Sequence, residues 1–159
     1  MKIKNVLFVP GKSAFFFDDQ KAIKNGAKLD GFVYEGQPVT KGFTTIRQAG
    51  ECVSILLELE DGQLAVGDCA AVQYSGVGGR DPLFLAEHYL PFMERELKPR
   101  LTGMEIGTFR QMADKFENLT FNGKKMHTAI RYGLSQALLD ARALAEKKLK
   151  AEVICEEYK

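Results

Sequence analysis

Apolar and polar residues alternate along the middle of the chain, with one interruption. Every second residue from Val53 to Leu59 is apolar, and the alternation returns at Leu64 and Val66. The interruption is the sequence EDGQ, in which the Asp-Gly pair is typical of a tight turn between two strands. Because successive side chains of a strand point to opposite faces of a sheet, this pattern predicts a β-hairpin with one apolar face.

The residues before this hairpin predict two further extended segments. The sequence IKNVLFVPG is a predicted strand that ends at Pro10 and Gly11, since proline cannot donate to a sheet ladder. The sequence FTTIRQ is expected to extend the same antiparallel sheet. Residues 11–42 show no sustained period, and we expect a long ordered loop there, with a short helix near Asp18–Lys24.

The period changes from two to that of a helix after the hairpin. Apolar residues then follow heptad-like spacing at Leu83, Ala86, Leu90, Met93 and Leu97. Asp81 suits the N-cap of this helix and Pro82 suits its first position. Pro91 lies inside the pattern and lacks the amide that would donate to the Glu87 carbonyl oxygen. We therefore expect the helix to kink or break at Pro91.

Two more helices are predicted in the last third of the chain. Thr108 and Gln111 fit a capping box at the start of the second helix. The third and longest helix has an apolar stripe formed by Ile130, Leu134, Leu138, Ala141 and Ala145. Positive charge is favourable at a helix C-terminus, and three lysines lie there: Lys147, Lys148 and Lys150. Strands followed by helices predict an α+β domain, with an antiparallel β-meander of about three strands followed by a helical bundle.

Composition and charge narrow the class of protein. A chain of 159 residues with 45% hydrophobic content is long enough for one domain with a sizeable core. Lys and Arg total 22 against 21 Asp and Glu, with no long run of either sign, so nucleic acid is not an expected partner. No apolar run approaches the length of a membrane span or a signal-peptide core, and a cytoplasmic protein is expected. Cys52, Cys69 and Cys155 lack any CxxC spacing and are expected to be buried, reduced thiols.

A glycine-rich stretch, GDCAAVQYSGVGGRDP, covers residues 67–82. A dinucleotide-binding fingerprint needs its third glycine where Asp81 stands, and a P-loop needs Gly-Lys-Ser/Thr, so neither nucleotide motif fits. One interpretation is that the glycines only turn the chain from sheet to helix. The other is a ligand site, because Gln73, Tyr74 and Ser75 place an amide, a phenol and a hydroxyl where a strand meets a loop.

Other chemically notable residues favour structural roles. His88 and His127 lack an obvious catalytic partner and are expected to be structural or surface groups. Asp18 and Asp19 are a carboxylate pair of the kind that binds Mg²⁺, yet capping of a short helix explains them more simply. Among Phe15–Phe17, at least one ring is expected to face outward or to meet a partner surface.

Several long segments together resemble one known family. They are FDDQKAIKNGA, DGFVYEGQPVTKGF, IRQAGE, GDCAAVQYSGVGGRDPLF and MHTAIRYGLSQALLDA, in this order along the chain. These motifs are similar to the N-terminal part of the methylaspartate ammonia-lyase family, which belongs to the enolase superfamily. The resemblance covers nearly the whole chain.

The resemblance implies that residues 1–159 form an enolase-like N-terminal capping domain. It closes the mouth of a (β/α)₈ barrel that lies outside this sequence, either in a longer form of the chain or in a second chain. The full enzyme is implied to be a homodimer that eliminates ammonia from L-threo-3-methylaspartate to give mesaconate, in amino-acid degradation and glutamate fermentation. Mg²⁺ is the implied cofactor, with K⁺ as activator. The lysine base and the three acids that bind Mg²⁺ are implied on barrel strands, so this segment alone is expected to lack catalytic residues, metal ligands and activity.

The resemblance also suggests a role for the glycine-rich stretch, in which Gln73 touches the amino-acid substrate near its amine. A carboxamide donates and accepts hydrogen bonds but has no proton equilibrium near neutral pH, so it positions substrate without acting as acid or base. For Tyr74, Ser75 and Arg80, both an assisting role in substrate binding and a structural role stay open. Two other classes of function also stay open: a freestanding binding or regulatory domain, and a structural subunit that dimerises through its helical face.

Overall fold

The computed structural model describes residues 1–71, 81–121 and 123–159. Its strands are β1 (Ile3–Asp18), β2 (Leu29–Asp30), β3 (Val33–Tyr34), β4 (Arg47–Leu59), β5 (Leu64–Ala70), β6 (Thr120–Phe121) and β7 (Lys124–Lys125). Its helices are α1 (Gln20–Lys24), α2 (Ala86–Phe92), α3 (Lys98–Leu101), α4 (Phe109–Glu117), α5 (Thr128–Glu146) and α6 (Lys150–Glu157), with a π-helical segment, Met93–Leu97, between α2 and α3.

Strands β1, β4 and β5 form an antiparallel sheet in that order. Ile55 of β4 lies opposite Phe8 of β1 on one side and Gly67 of β5 on the other. The turn between β4 and β5 contains Gly62 with a φ of 85°, a left-handed conformation that glycine adopts at little cost. The predicted hairpin is confirmed, and so is the α+β class: a three-stranded antiparallel sheet plus helices, with no barrel among the described residues.

One face of this sheet is buried beneath helix α5. Alternate residues of β4 are fully buried, and α5 contacts both β4 and β5. The core between sheet and helix is made by Val6, Val53, Ile55, Leu57, Ala65, Ile130, Leu134, Ala137 and Leu138. Burial of each large aliphatic side chain contributes about 1.5–3 kcal/mol, so this layer supplies much of the driving force for folding. The apolar residues that alternate along β4 and β5 therefore pack against the apolar stripe of α5.

Strand β1 is longer than its sequence predicts. It continues through Pro10 and Gly11 as far as Asp18, so the predicted end at Pro10 is wrong. In the described sheet β1 has a neighbour on one side only, and an edge strand tolerates a residue without an amide. The loop expected over residues 11–42 is correspondingly shorter, because its first part pairs with β4 and the β2–β3 hairpin lies within it. Of FTTIRQ, only the last two residues lie in β4.

Asp19 organises the segment that follows β1. Its carboxylate caps α1 by accepting hydrogen bonds from the amides of Lys21 and Ala22, both at 3.2 Å. It also accepts from the amides of Val39 and Thr40, at 2.7 and 2.8 Å, and from the Thr40 hydroxyl at 2.6 Å. Burial raises the pKa of Asp19, but these hydrogen bonds outweigh burial and leave its pKa below the usual value. The predicted short helix and the preference for capping over Mg²⁺ binding agree with this geometry.

Asp18 is engaged in an ion pair at the end of the sheet. Its two carboxylate oxygens accept from Nε and a terminal nitrogen of Arg47, at 2.7 and 2.8 Å. The Arg47 guanidinium also lies 5.0 Å from the ring centres of both Phe32 and Tyr34. The Asp18–Arg47 pair therefore fastens the β2–β3 hairpin to the end of β1.

The aromatic run at the end of β1 divides between core and surface. Phe17 is fully buried, whereas 61% of Phe15 and 41% of Phe16 are exposed. Phe16 also contacts Phe32 edge to face, with ring centres 4.8 Å apart. The prediction that at least one of these rings faces outward is confirmed.

Helix α2 begins four residues later than predicted. Its first residue is Ala86, so the predicted N-cap and first-turn roles of Asp81 and Pro82 are wrong. The Ala86 amide donates to the Glu51 carboxylate of β4 at 2.8 Å. A carboxylate from a neighbouring strand thus satisfies an amide at the start of the helix, where negative charge is favourable.

Pro91 changes the helix without ending it. It lies inside α2, and the helical backbone continues into the π-helical segment and then α3. Because proline has no amide to donate, the α-helical ladder loses one bond at this point. The change to π-helical bonding two residues later accounts for the predicted interruption, while a complete break is not observed.

Helix α4 begins as predicted but is capped from two sides. The Thr108 hydroxyl accepts from the Gln111 amide at 3.3 Å, which is half of the predicted capping box. The Glu157 carboxylate at the end of α6 accepts from the amides of Phe109 and Arg110, at 3.0 and 2.8 Å. A distant acid therefore completes the cap.

Helix α5 is the long helix that the sequence predicts. Lys147 follows it with a φ of 55°, the left-handed conformation that ends many helices. Lys150, the first residue of α6, lies 2.9 Å from a carboxylate oxygen of Asp140 on α5. None of the helices among the described residues combines the length and apolarity needed to cross a membrane.

Two glycines allow β5 and α5 to touch through their backbones. A Cβ atom added at Gly67 would lie 2.0 Å from the Gly133 carbonyl oxygen and 2.5 Å from the Ala137 nitrogen. A Cβ atom added at Gly133 would lie 2.6 Å from the Cys69 nitrogen. Since backbone atoms cannot move aside as a flexible side chain does, only glycine fits on both sides of this contact.

We expect Gly133→Ala to destabilise the protein. Alanine normally gains up to about 1 kcal/mol over glycine inside a helix, but overpacking against the backbone of β5 should reverse this and cost about 1–3 kcal/mol. Urea unfolding gives the free energy. Gly107→Ala is the matched control, because its added Cβ would meet only Gln111 Oε1, at 3.5 Å. Equal stability of the two variants would show that β5 and α5 are not held in backbone contact.

We expect Asp19→Asn to lower the free energy of unfolding at neutral pH by about 1–3 kcal/mol. Both oxygens of Asp19 accept hydrogen bonds, and in asparagine an NH₂ group replaces one of these oxygens and would face other donors. The folded-state pKa of Asp19 is lowered, so its contribution is present above the unfolded pKa of about 3.9 and disappears as the pH falls through the folded value. The gap between parent and variant should therefore narrow as urea unfolding is repeated from about pH 5 to pH 2. Asp30→Asn, at an exposed acid, is the control, and a pH-independent gap would contradict the proposed linkage.

Candidate functional site

The candidate site is the region where β5 leads into the glycine-rich stretch and the chain returns to the core. Gln73, Tyr74, Ser75 and Arg80 lie outside the described residues, so their suggested ligand contacts stay predictions. Within this stretch, the described residues next to positions 72–80 are Ala71, which is 7% exposed, and Asp81. The surroundings of these two residues define what the site offers.

Asp81 binds the start of α5. Its carboxylate accepts a hydrogen bond from the Thr128 amide at 2.6 Å, and Thr128 is the first residue of that helix. Burial raises the pKa of Asp81, but the hydrogen bonds from Thr128 favour the ionised carboxylate, and the net effect leaves the pKa of Asp81 below its usual value. The carboxylate is therefore ionised at neutral pH, where it complements the positive end of the helix dipole.

His127 links the same helix to Pro82. Its imidazole Nδ1 accepts from the Ala129 amide at 3.0 Å, and its Nε2 lies 2.9 Å from the Pro82 carbonyl oxygen. An Nδ1 that accepts carries no proton, so Nε2 is the protonated nitrogen and donates to Pro82. Burial lowers the pKa of His127, which favours this neutral form. Nδ1 is 3.9 Å from an Asp81 oxygen, but a neutral ring does not form an ion pair there.

Aromatic rings surround the His127 imidazole. Phe84 stacks on Tyr89 with ring centres 5.0 Å apart and an angle of 7° between the rings. The His127 ring lies 5.2 Å from Phe84 and 5.1 Å from Tyr89. Packing on two rings and hydrogen bonds at both nitrogens fix the orientation of His127. The structural interpretation of this histidine is confirmed, and His88 is exposed at the surface, as expected for the other.

An open cleft of about 520 Å³ lies beside these residues. It is lined by Asp81, Pro82, His88, Tyr89, Phe92, Lys124, Lys125, Met126, His127 and Ile130. Both ring nitrogens of His127 and one carboxylate oxygen of Asp81 are hydrogen-bonded within the protein, and burial raises the pKa of Tyr89. The described lining therefore offers shape, aromatic surface and positive charge from the two lysines.

The described residues do not fit a Mg²⁺ site. No group of three or more His, Cys, Asp or Glu residues lies together in ranges 1–71, 81–121 and 123–159. Of the acid pair that the sequence offers for Mg²⁺, Asp18 is paired with Arg47 and Asp19 accepts hydrogen bonds from backbone amides.

The cysteines are unpaired, as predicted, but only one is fully buried. Cys69 lies in the core, where burial raises the pKa of its thiol well above the usual value. Cys52 is partly buried and its pKa is also raised, chiefly by burial. Cys155 is exposed, which corrects the expectation that all three thiols are buried. Neither Cys52 nor Cys69 has the lowered pKa of a reactive thiol.

The sequence does not predict that Asp81 contacts Thr128 or that His127 contacts Pro82. A partial signal exists, because a histidine directly before a long apolar helical stripe occupies the N-cap position, where an acceptor is needed. No local pattern indicates that Asp81 reaches Thr128, 47 residues away.

Comparison with known proteins places the whole chain in one family. A family model described as "Methylaspartate ammonia-lyase N-terminus" matches residues 1–159. The methylaspartate ammonia-lyase of Citrobacter amalonaticus is 63% identical over 158 residues, and that of Clostridium tetanomorphum is 60% identical over the same number. Each alignment covers 99% of this chain and 38% of the relative, so the chain spans 38% of the length of these relatives.

Solved structures of such proteins share the fold described above. The crystal structure of Citrobacter amalonaticus methylaspartate ammonia lyase containing (2S,3S)-3-methylaspartic acid matches with a TM-score of 0.95 and 63% identity. The Mg complex of β-methylaspartase from Clostridium tetanomorphum matches with a TM-score of 0.97 and 59% identity. Each match covers 99% of this chain and 38% of the solved chain. The chain therefore belongs to the methylaspartate ammonia-lyase family and corresponds to its N-terminal portion.

Proposed function

We propose that this chain is the capping domain of an enzyme that eliminates ammonia from L-threo-3-methylaspartate to give mesaconate. The observation that carries the proposal is the match over 158 residues at 63% identity to a relative whose solved structure contains (2S,3S)-3-methylaspartic acid. A cytoplasmic location and a homodimeric enzyme are part of the same proposal. So is the (β/α)₈ barrel of the enolase superfamily as the partner of this cap.

In the substrate, the proposed reaction breaks two bonds and forms one π bond, while the abstracted proton becomes bonded to the base. A base removes the proton from C3, the C2–N bond breaks to release ammonia, and the electron pair from the C–H bond forms the C2=C3 double bond. Mg²⁺, with K⁺ as activator, is the proposed cofactor, and the solved Mg complex of a relative supports it. When bound, Mg²⁺ stabilises the negative charge that develops on the carboxylate. The base and the metal ligands are assigned to the portion outside this chain, as the family resemblance implies.

The proposed contribution of this chain is substrate positioning by Gln73. Its carboxamide donates and accepts hydrogen bonds without changing protonation near neutral pH, which suits a contact to a substrate that carries both an amine and carboxylates. Correct placement of a substrate lowers the barrier without any proton transfer by the positioning group. Tyr74, Ser75 and Arg80 are close to Gln73 in sequence, and we assign no contact to them.

A chimeric enzyme tests the proposed activity. It joins residues 1–159 of this chain to the remaining portion of the Citrobacter amalonaticus relative. With Mg²⁺ and K⁺ present, the chimeric enzyme should convert 3-methylaspartate to mesaconate, whereas residues 1–159 alone should not, because the base and metal ligands are absent. Mesaconate is measured directly by chromatography. Turnover by the isolated chain, or a folded chimeric enzyme without activity, would contradict the proposal.

In the chimeric enzyme, Gln73→Ala is expected to lower kcat/KM for ammonia elimination about ten- to a hundred-fold. Loss of a hydrogen bond to a charged substrate costs about 1.5–3 kcal/mol, which corresponds to this range. In the reverse direction, the smaller side chain should admit amines bulkier than ammonia as partners for mesaconate. Mg²⁺ affinity should not change. Gln63→Ala, at an exposed glutamine in the β4–β5 turn, is the control. If Gln73→Ala has the same kinetics as this control, Gln73 makes no substrate contact and the glycine-rich stretch serves only to turn the chain.

A further inference from the structure

Both ends of the glycine-rich stretch are attached to one helix, α5. The N-terminal end lies in β5, whose backbone contacts α5 at Gly67 and Gly133. Two further bonds reinforce this attachment: the Val66 amide donates to Asp140 Oδ2 at 2.8 Å, and the Asp68 amide donates to Gln136 Oε1 at 3.2 Å. The outer amides of an edge strand are thereby satisfied by side chains of α5.

The C-terminal end is attached near the first turn of the same helix. Asp81 accepts from the Thr128 amide, and the Pro82 carbonyl oxygen accepts from His127 Nε2. His127 is 6% exposed and its other nitrogen caps α5, so the donor is held in place by the helix itself. We call the contacts of Asp81 and Pro82 with Thr128 and His127 the α5 anchor.

We propose that His127 is a positioning residue for the ammonia elimination, acting through Pro82 to fix where the glycine-rich stretch ends. The inference rests on the proposed contact between Gln73 and substrate. His127 itself touches no substrate in this proposal. Because β5 and the α5 anchor share one helix, the distance between the two ends of the stretch is set by α5. A loosened anchor therefore misplaces Gln73 without changing its chemistry, and small misplacements reduce rates strongly.

Two substitutions separate the nitrogens of His127. In His127→Asn, the side-chain oxygen replaces Nδ1 and still caps α5, but nothing reaches the Pro82 carbonyl oxygen. In His127→Gln, the amide nitrogen replaces Nε2 and still donates to Pro82, but the cap on Ala129 is lost. Both variants lose the ring that packs against Phe84 and Tyr89, so that loss cancels in their comparison.

The two variants should rank in opposite orders in stability and activity. Thermal unfolding of the chimeric enzyme should show His127→Asn at least as stable as His127→Gln, because asparagine is a good N-cap and glutamine is not. For kcat/KM we expect the reverse: His127→Gln within about threefold of the parent and His127→Asn about tenfold below it, the size of one lost hydrogen bond. If both variants lose activity equally, or if activity follows stability, the positioning role of His127 is wrong.

Gln73→Ala in each background shows whether His127 acts through Gln73. If it does, the difference in kcat/KM between His127→Asn and His127→Gln should vanish once Gln73 is replaced. A difference that persists would place the effect of His127 elsewhere and overturn the inference. Failure of the proposed function is a separate result, because Gln73→Ala alone would then leave kcat/KM and amine preference at the parental values.

Discussion

The close contact between Gly67 and Gly133 is the constraint on which the rest of this domain depends. It brings the edge strand β5 and helix α5 together at backbone distance, where a single added carbon would lie 2.0 Å from an oxygen. That approach lets the apolar faces of the sheet and α5 close over a shared core, and it brings Asp140 and Gln136 within reach of the amides of β5. The same helix then holds Asp81 and Pro82 at its other end, so the sheet, the core and the candidate site share one reference element.

Features with a local physical cause could be predicted from the sequence. The β4–β5 hairpin follows from alternation and an Asp-Gly turn, α4 from a threonine cap, and α5 from its apolar stripe. The sequence predicts a strand β1 that is too short, because the effect of Pro10 depends on where the strand lies in the sheet. Proline ends a central strand but is tolerated in an edge strand, and only the order β1-β4-β5 shows which case applies.

At the candidate site, local sequence patterns predict less than they do for the fold. Asp81 followed by Pro82 has the local pattern of a helix start, yet helix α2 receives its carboxylate from Glu51 and Asp81 is taken by α5. Competition between two helix N-termini for the available acids is decided by tertiary structure, which no window of sequence contains. The place of Gln73 beside the glycines and the family resemblance both indicate a ligand contact, while the described residues show only the parts of the glycine-rich stretch on either side of residues 72–80.

The edge position of β1 has a consequence for how the chain behaves in solution. An open strand edge can recruit a strand from another molecule and so begin aggregation. Residues 103–106 cover the beginning of this edge, through backbone bonds that join Ile3 to Gly103 and Met104. Farther along, Pro10 removes one donor from the row, Lys12 brings a charge, and the pairing register shifts between Lys12 and Phe16. These irregularities make β1 a poor template for intermolecular β-sheet growth, which protects the domain during synthesis and folding, when the edge is most accessible.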